Sequence, residues 1–311
     1  MAGRINGALV LCLAVLGGLF ALPCSSSSAQ ELEIRRWNQL PVDRNFLTLN
    51  YGATSGDIAF DPVLQIEDAR FDMDTWLAGY VRTFAVFDKT ARIEIRQPYS
   101  KGTWSGFVAG VPTTIHREGL NDTFMRLAIN LIGGPPLAGK AYAEYRAKTE
   151  IETIVGAALG IQLPTGNYLE DKLINLGSNR FTFRPQIGMQ QKYYDWTFEL
   201  TGTVFLYTDN TSFFGGNRIE QEPLLTIDGS IEYDFPGGAW LSAGIGYGAG
   251  GESEINNVAK NDYRQNLGWS LSGGFPITPW LGFKVNYIGV DTLEDVGARS
   301  NTIGIGLLAT W

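Results

Sequence analysis

Polar and charged side chains recur at alternate positions of several segments whose intervening positions are apolar. The charged members of this set are Asp122, Arg126, Arg180, Arg184, Glu199, Asp228 and Glu232, and the amide members are Asn130, Gln162 and Gln186. Charges that share an enclosed surface must pair or stay hydrated, because an isolated buried charge is costly. The set therefore predicts either a polar constriction that selects solutes, or an ion-paired network that closes the space. In the closed case we expect the arginines of this set to face its acids.

Three aromatic residues fall in the same register as these polar side chains. They are Phe124, Phe205 and Tyr207. Rings among polar neighbours indicate either a path for an apolar or aromatic solute, or space-filling contacts against a plug. The sequence leaves both interpretations open.

The only histidine, His116, is the one residue that suggests catalysis. A hydrolase would need a nucleophile and an acid within hydrogen-bond reach of it. Ser105 and Asp122 are the nearest candidates along the chain. We interpret His116 as a solvated loop residue, so the sequence predicts no enzyme and no catalytic residues.

The residue inventory also predicts no metal site and no cofactor. Both cysteines, Cys12 and Cys24, lie in the predicted export signal, and one histidine cannot build a transition-metal site. Four acids lack the spacing of a calcium loop and are interpreted as solvated: Asp57, Asp61, Glu67 and Asp68.

The elements that must position these residues show period-two alternation, which is typical of strands. In the last segment, residues 301–311, Ile303, Ile305 and Leu307 alternate with small or polar residues, and the segment ends on Trp311. Twelve such segments are predicted: 44–56, 72–86, 91–97, 121–131, 150–163, 179–190, 196–207, 224–234, 239–250, 263–275, 281–289 and 301–311.

The connections between these segments alternate in length. The short ones are 87–90, 191–195, 235–238 and 276–279, and the long ones are 55–71, 98–120, 164–178, 208–221, 251–262 and 291–300. Short periplasmic turns and long outer loops are typical of outer-membrane β-barrels. Residues 133–149 are the one exception, and they are candidates for a helical stretch or a plug.

The start of the chain predicts export. Residues 1–29 combine Arg4, an apolar run over 8–22 and small residues before Ala29, which indicate a signal peptide cleaved after Ala29. Pro23 before Cys24 is unfavourable for lipidation. Residues 30–43 are predicted to form a short periplasmic lead-in, and residues 44–311 the barrel.

Composition separates a barrel from other classes. The 311 residues carry a net charge of -8, without a basic patch for nucleic acid, and contain 38 glycines. After the signal, no apolar run reaches the length of a transmembrane helix. A secreted β-sandwich shares some of these features, but it would not sort its loops by length. The sequence therefore predicts an all-β fold: a closed, up-and-down, transmembrane antiparallel barrel of about 12 strands.

Several long stretches carry a family resemblance. They include EIRRWNQLPVDRNFLTLNYGATSGDIAFDPVLQIEDA, FDKTARIEIRQPYSKGTWSG, REGLNDTFMRLAINLIGGPPL and LGIQLPTGNYLEDKLINLGSNRFTFRPQIG. In these stretches and in its closing strand, the chain resembles the outer-membrane family named for the MetA (meta-cleavage) pathway of phenol degradation. The resemblance implies a channel or transporter associated by name with aromatic compounds, and it implies no catalytic residues.

Two functional hypotheses follow for the mature chain in the bacterial outer membrane. The first is a channel for small solutes of unidentified structure, apolar or aromatic. The second is a closed structural or interaction barrel with an ion-paired lumen. The expected partners are outer-membrane lipid and the barrel-insertion machinery. The terminal Trp311 resembles the signal that this machinery reads.

Overall fold

The computed structural model describes Leu32, residues 34–60 and residues 66–311. The predicted signal peptide, residues 1–29, lies outside these described residues, as does Asp61 of the acidic loop. Within the described part of the chain the dominant element is one antiparallel sheet that closes on itself.

Twelve strands form this closed sheet, and the remaining elements lie at its two ends. The barrel strands are β1 (Asn45–Ala59), β2 (Ile66–Val86), β3 (Lys89–Val108), β5 (Phe124–Ile132), β6 (Ile151–Gln162), β7 (Thr182–Tyr193), β8 (Trp196–Tyr207), β11 (Leu224–Asp234), β12 (Trp240–Gly250), β15 (Arg264–Thr278), β16 (Leu281–Thr292) and β17 (Gly297–Thr310). The others are β4 (Val111–Leu120), β9 (Asn210–Phe213), β10 (Asn217–Gln221), β13 (Ser253–Ile255), β14 (Val258–Ala259) and helix α1 (Gly139–Lys148).

The barrel closes between its first and last strands. β1 and β17 pair from Phe46 opposite Thr310 to Ala59 opposite Gly297. Below this ladder the Asn45 amide donates to the Trp311 carbonyl at 3.0 Å, and the Trp311 amide donates back at 3.2 Å. Closure leaves no unpaired barrel edge, which is what a bilayer requires of a spanning sheet. The predicted 12-stranded barrel is confirmed.

Strand alternation places apolar side chains outside and polar side chains inside. Ile187 and Ile303 face outward and are 62% and 66% exposed, whereas the neighbouring Gln186 is buried. This arrangement is the reverse of a soluble protein. It fits a protein whose outer surface meets lipid and whose interior is polar.

We call the end of the barrel that carries Asn45 and Trp311 the inner end. The reversal between β2 and β3 at this end is tight. Its two residues, Phe87 and Asp88, both have positive φ, at 47° and 56°, as a two-residue hairpin turn that follows the twist of the strands requires. The segment over residues 133–149 lies at the same end and contains α1, which has no buried residue. Residues 133–149, the one segment that breaks the predicted alternation of short and long connections, therefore form a long inner connection with a helix.

The outer end extends well beyond the predicted strand limits. Residues 98–120 were expected to form a loop, and this prediction is wrong: β3 continues to Val108 and pairs with β4, from Tyr99 opposite Leu120 to Val108 opposite Val111. The reversal uses Ala109 and Gly110, both at positive φ. The sequence of this hairpin does not show the regular alternation of a strand. Its strands form because each satisfies the backbone hydrogen bonds of its neighbour.

A second sheet lies in the outer connections. Strands β9, β10, β13 and β14 pair with one another, and Phe213, Ile219 and Ile255 form a small buried cluster on them. Among the described residues, no helix combines the length and apolarity needed to cross a bilayer.

Candidate functional site

The segment before β1 enters the barrel. We call residues 34–43 the lead segment. The sequence predicted a simple periplasmic lead-in here, but the structure buries Arg36 and Trp37 against inward-facing side chains of distant strands. The lead segment differs from a solvated linker because its basic and aromatic side chains complement the wall of the lumen.

Arg35 forms a two-pronged ion pair with the wall. Its Nε and Nη2 donate to the two carboxylate oxygens of Glu232 at 2.7 and 2.6 Å, and Nη2 also reaches Asp234 at 2.5 Å. Burial by itself would lower the pKa of Arg35, but the hydrogen bonds and charges of these two acids outweigh it and raise the pKa. Arg35 therefore stays charged, and bidentate geometry orients it.

The next contacts fix the backbone of the lead segment. The carboxylate of Glu199 accepts the amides of Arg36 and Trp37, each at 3.0 Å. The Arg36 guanidinium pairs with Asp228, with Nη1 at 3.3 Å from Oδ1. Glu199, Asp228 and Glu232 therefore act together as an acidic dock for one short piece of the chain.

Trp37 fills a cradle in the lumen wall. Its side chain is 0% exposed and its Nε1 donates to Thr201 Oγ1 at 2.9 Å. The indole lies against Gly156 and Gly188, where a Cβ atom at either position would overlap it. The guanidinium of Arg126 lies 5.3 Å from the ring centroid, a favourable cation–π distance. The cradle therefore requires two glycines, which have no side chain to displace the ring.

The inner connection holds the other end of the lead segment. Gln39 Nε2 donates to the Pro135 carbonyl at 2.9 Å, and the Val42 amide donates to the Leu137 carbonyl at 2.9 Å. Tyr142 of α1 donates to the Gln39 carbonyl at 3.0 Å. We call these three bonds the inner latch.

Each predicted arginine has a contact that the sequence did not predict. Arg126 pairs with Glu94, at 3.8 Å. Arg180 donates to the Gln221 side chain, and Arg184 donates to Gln162. Glu199, Asp228 and Glu232 take Arg35 and Arg36 of the lead segment instead, because that segment lies between the two sides of the lumen.

Asp122 binds the outer connection between β6 and β7. Its carboxylate accepts hydrogen bonds from Gln162 Nε2 at 3.0 Å, from the amide of Gly166 at 2.9 Å and from the amide of Ser178 at 2.9 Å. These bonds hold the outer connection between β6 and β7.

The remaining predicted residues also have definite places. Asn130 and Gln186 are buried on the lumen wall, and Gln186 Nε2 donates to Oγ1 of the neighbouring Thr203 at 3.3 Å. The predicted rings are stacked with arginines: Arg184 lies 5.1 Å from the Phe124 centroid and 4.9 Å from that of Phe205, and Arg180 lies 4.6 Å from Tyr207. The sequence predicted either a solute path or space-filling contacts for these rings, and neither interpretation included stacking with arginine.

An apolar vestibule lies inside the outer end of the barrel, beyond the polar lumen. Phe71, Met73, Trp104 and Leu176 form its buried cluster, with Ile58, Ile115 and Ile174 packed against them. A cavity of about 330 Å³ opens beside Trp104 and Ile115. Its volume falls in the range of small-molecule sites.

His116 lies on β4 with its side chain outward, and its Nδ1 is 2.9 Å from Thr103 Oγ1. Across residues 34–60 and 66–311 together with Leu32, no cluster of three or more metal-binding side chains occurs.

Sequence reasoning missed the lead segment and its cradle. Arg35, Arg36 and Trp37 stand together in a stretch otherwise typical of a linker, and this basic-aromatic run is the one signal that could have drawn attention to it. Gly156 and Gly188 carried no signal of their own, since glycines are frequent on the inward side of many strands.

Comparison with known proteins supports this architecture. The model of a family described as "Putative MetA-pathway of phenol degradation" matches residues 49–303. Among solved structures, an outer membrane channel from Pseudomonas putida F1 has a TM-score of 0.76 and 19% identity, covering 90% of this chain and 100% of that one.

Other solved barrels are more distant. The β domain of the Bordetella autotransporter BrkA has a TM-score of 0.47 and 9% identity, with 86% and 100% of the two chains covered. The KdgM porin has a TM-score of 0.40 and 10% identity, with 84% and 98% covered. No curated protein matches the chain. The likeness to the Pseudomonas putida channel shows the fold of the chain.

Proposed function

We propose that this chain, which belongs to the MetA-pathway family of phenol degradation, is an outer-membrane channel for small solutes that its own lead segment closes. The observation that carries the proposal is the way the lumen is filled. Its polar wall is occupied by residues 34–39 of the chain, which enter from the inner end and are held by side-chain contacts rather than by strand pairing. A segment attached in this way can leave without unfolding the barrel.

The solutes that we propose are small and apolar or aromatic. The support is the vestibule, where apolar side chains such as Ile58 and Ile115 form most of the cavity surface beside Trp104, although charged residues such as Arg117 also line it. A solute that partitions into this cavity gains from burying its apolar surface before it meets the polar lumen.

The closed structural barrel remains the second candidate, because specific contacts favour it. Arg35 and Arg36 pair with the wall acids, and Trp37 fits its cradle closely. A barrel that never opens would use the same contacts to rigidify its interior.

Single-channel conductance in a planar bilayer distinguishes the two candidates. The refolded chain beginning at residue 30 is compared with one beginning at residue 40. We expect the shorter chain to show a steady conductance well above that of the longer one. If neither chain conducts above an empty membrane, the channel proposal fails and the closed barrel stands.

Uptake into liposomes tests the proposed solute class. Ile115→Asp places a charge in the vestibule, and we expect slower entry of a neutral aromatic solute. Val111→Asp, at the 61% exposed tip of the same strand, is the matched control and should have no effect. Equal entry in both variants would remove the vestibule from the solute path.

A further inference from the structure

Arg180 is a buried cation whose side-chain hydrogen bond and ring contact are both with uncharged groups. Its side chain is 4% exposed, its Nη2 donates to the amide oxygen of Gln221, and its guanidinium stacks on the Tyr207 ring. Within the described part of the chain, its Nη1 has no hydrogen-bond acceptor. A buried guanidinium ordinarily has a carboxylate or another anion as its partner.

The nearby acids have other contacts. Asp122 is engaged by two backbone amides and by the hydroxyl of Ser178. Glu199 and Glu232 hold the lead segment farther along the lumen. The positive charge of Arg180 is therefore a place where an external anion would complete the site.

The surroundings define what kind of anion fits. Phe205 and Tyr207 are successive inward residues of β8, about 7 Å apart as strand geometry requires, and they pack with Leu224 in one apolar cluster. Arg184 lies over the Phe205 ring and Arg180 over the Tyr207 ring. Stacking on Tyr207 holds the guanidinium plane of Arg180 and leaves its Nη1 to donate, which is the geometry that recognises a carboxylate.

We propose that Arg180 binds the carboxylate of a small aromatic acid in the outer half of the lumen, with the ring of the ligand against Phe205 and Tyr207. This site deepens the channel function proposed above and rests on it, since it names the solute class that the lumen selects.

Calorimetric titration of the refolded full chain in detergent micelles tests the site with benzoate as the probe. We expect saturable binding to the native protein, and an affinity at least tenfold lower for Arg180→Gln. Benzyl alcohol has the same ring without the charge, and acetate has the charge without the ring. Both should bind at least tenfold more weakly than benzoate.

Matched variants separate loss of the site from loss of the fold. Arg218→Gln removes an exposed arginine that pairs with Asp209 in the outer sheet, and it should bind benzoate like the native chain. If Arg180→Gln does not refold, Arg180→Lys and Tyr207→Leu are titrated instead. Each should lower the affinity for benzoate at least threefold.

The overturning results are specific. The site fails if benzoate does not bind the native chain, if benzyl alcohol binds as tightly, or if the Arg180 variants bind normally. Benzoate binding without any conductance in the truncated chain would overturn the channel and leave the site. Conductance without benzoate binding would overturn the site alone.

Discussion

At the scale of single residues, the Trp37 cradle depends on two glycines. Gly156 and Gly188 come from neighbouring strands, and each leaves the space that one face of the indole occupies. A single methyl group at either position competes with the ring for the same volume, and close-packed interiors tolerate such overlap poorly. The seating of the lead segment therefore depends on the absence of two Cβ atoms.

Replacement of Gly188 by alanine should open the lumen. The new methyl group overlaps the Trp37 indole, so we expect the lead segment to be displaced and the single-channel conductance to rise several-fold. Gly202→Ala is the control, because a Cβ atom there meets nothing within 4 Å. Equal conductance of the two variants would mean that Trp37 does not close the lumen.

Glu199 offers a second test at this scale. Glu199→Ala leaves the amides of Arg36 and Trp37 without their acceptor, at a cost of about 1–3 kcal/mol for each unsatisfied group. We expect the lead segment to become accessible at least tenfold more often. Since residues 30–311 contain no cysteine, maleimide labelling of Asn38→Cys in the chain beginning at residue 30 measures this accessibility.

Glu199→Gln provides the graded control for that experiment. Glutamine keeps one carbonyl oxygen as an acceptor but loses the second oxygen and the charge, so its labelling rate should lie between those of native protein and Glu199→Ala. Native-like labelling of Glu199→Ala would contradict the role given to this carboxylate.

At the scale of elements, the inner connection and the outer hairpin are longer than the barrel needs, and their extra residues supply the inner latch and the vestibule. The connection between β5 and β6 is longer than a turn needs, and its extra residues supply Pro135, Leu137 and Tyr142 to the inner latch. The outer hairpin of β3 and β4 is likewise longer than a bilayer needs, and it supplies Trp104 and Ile115 to the vestibule.

The inner latch can be weakened without touching the lumen. Tyr142→Phe removes one hydrogen bond to the Gln39 carbonyl, worth about 0.5–1.5 kcal/mol, so labelling of Asn38→Cys should become two- to tenfold faster, as those energies imply. Lys140→Ala lies on the same helix and removes only a surface ion pair with Glu144 at 3.6 Å. A latch role is contradicted if the two variants label equally fast.

At the scale of the whole molecule, the two faces of the barrel wall meet different solvents. Ile187 points toward lipid and Gln190, on the same strand, points into the lumen opposite Glu199. The same substitution at these two positions therefore samples opposite environments while the strand and its backbone bonds stay the same.

Ile187→Lys should destabilise the folded barrel by about 2–4 kcal/mol, because it places a charge in hydrocarbon. Gln190→Lys places the same charge beside Glu199, and we expect a change below about 1 kcal/mol. Urea titration of the protein in lipid vesicles measures both. A larger loss for Gln190→Lys would mean that the faces are assigned in reverse.

The role of Trp311 also belongs to this scale and stays a prediction. Its backbone completes the seam with Asn45, and its side chain is 56% exposed at the inner end. Its backbone bonds with Asn45 contribute to closure of the barrel.

The sequence by itself determined the barrel. Alternation of apolar and polar residues is a local property of each strand, so the segments 196–207 and 224–234 have the limits predicted for them. The inward register of Arg126, Arg184, Glu199 and Phe205 follows from the same period of two. Loop lengths then fixed which strand ends share a side of the membrane.

Only the tertiary structure decided what occupies the lumen. Arg35 meets Glu232 across 197 positions of the chain, and Trp37 meets two glycines from different strands. No local pattern records which distant surface a short segment will complement. The ion pairs, the cradle and the arginine–aromatic stacks exist because closing the sheet brings those strands around one enclosed volume, where each buried charge must find a partner within reach.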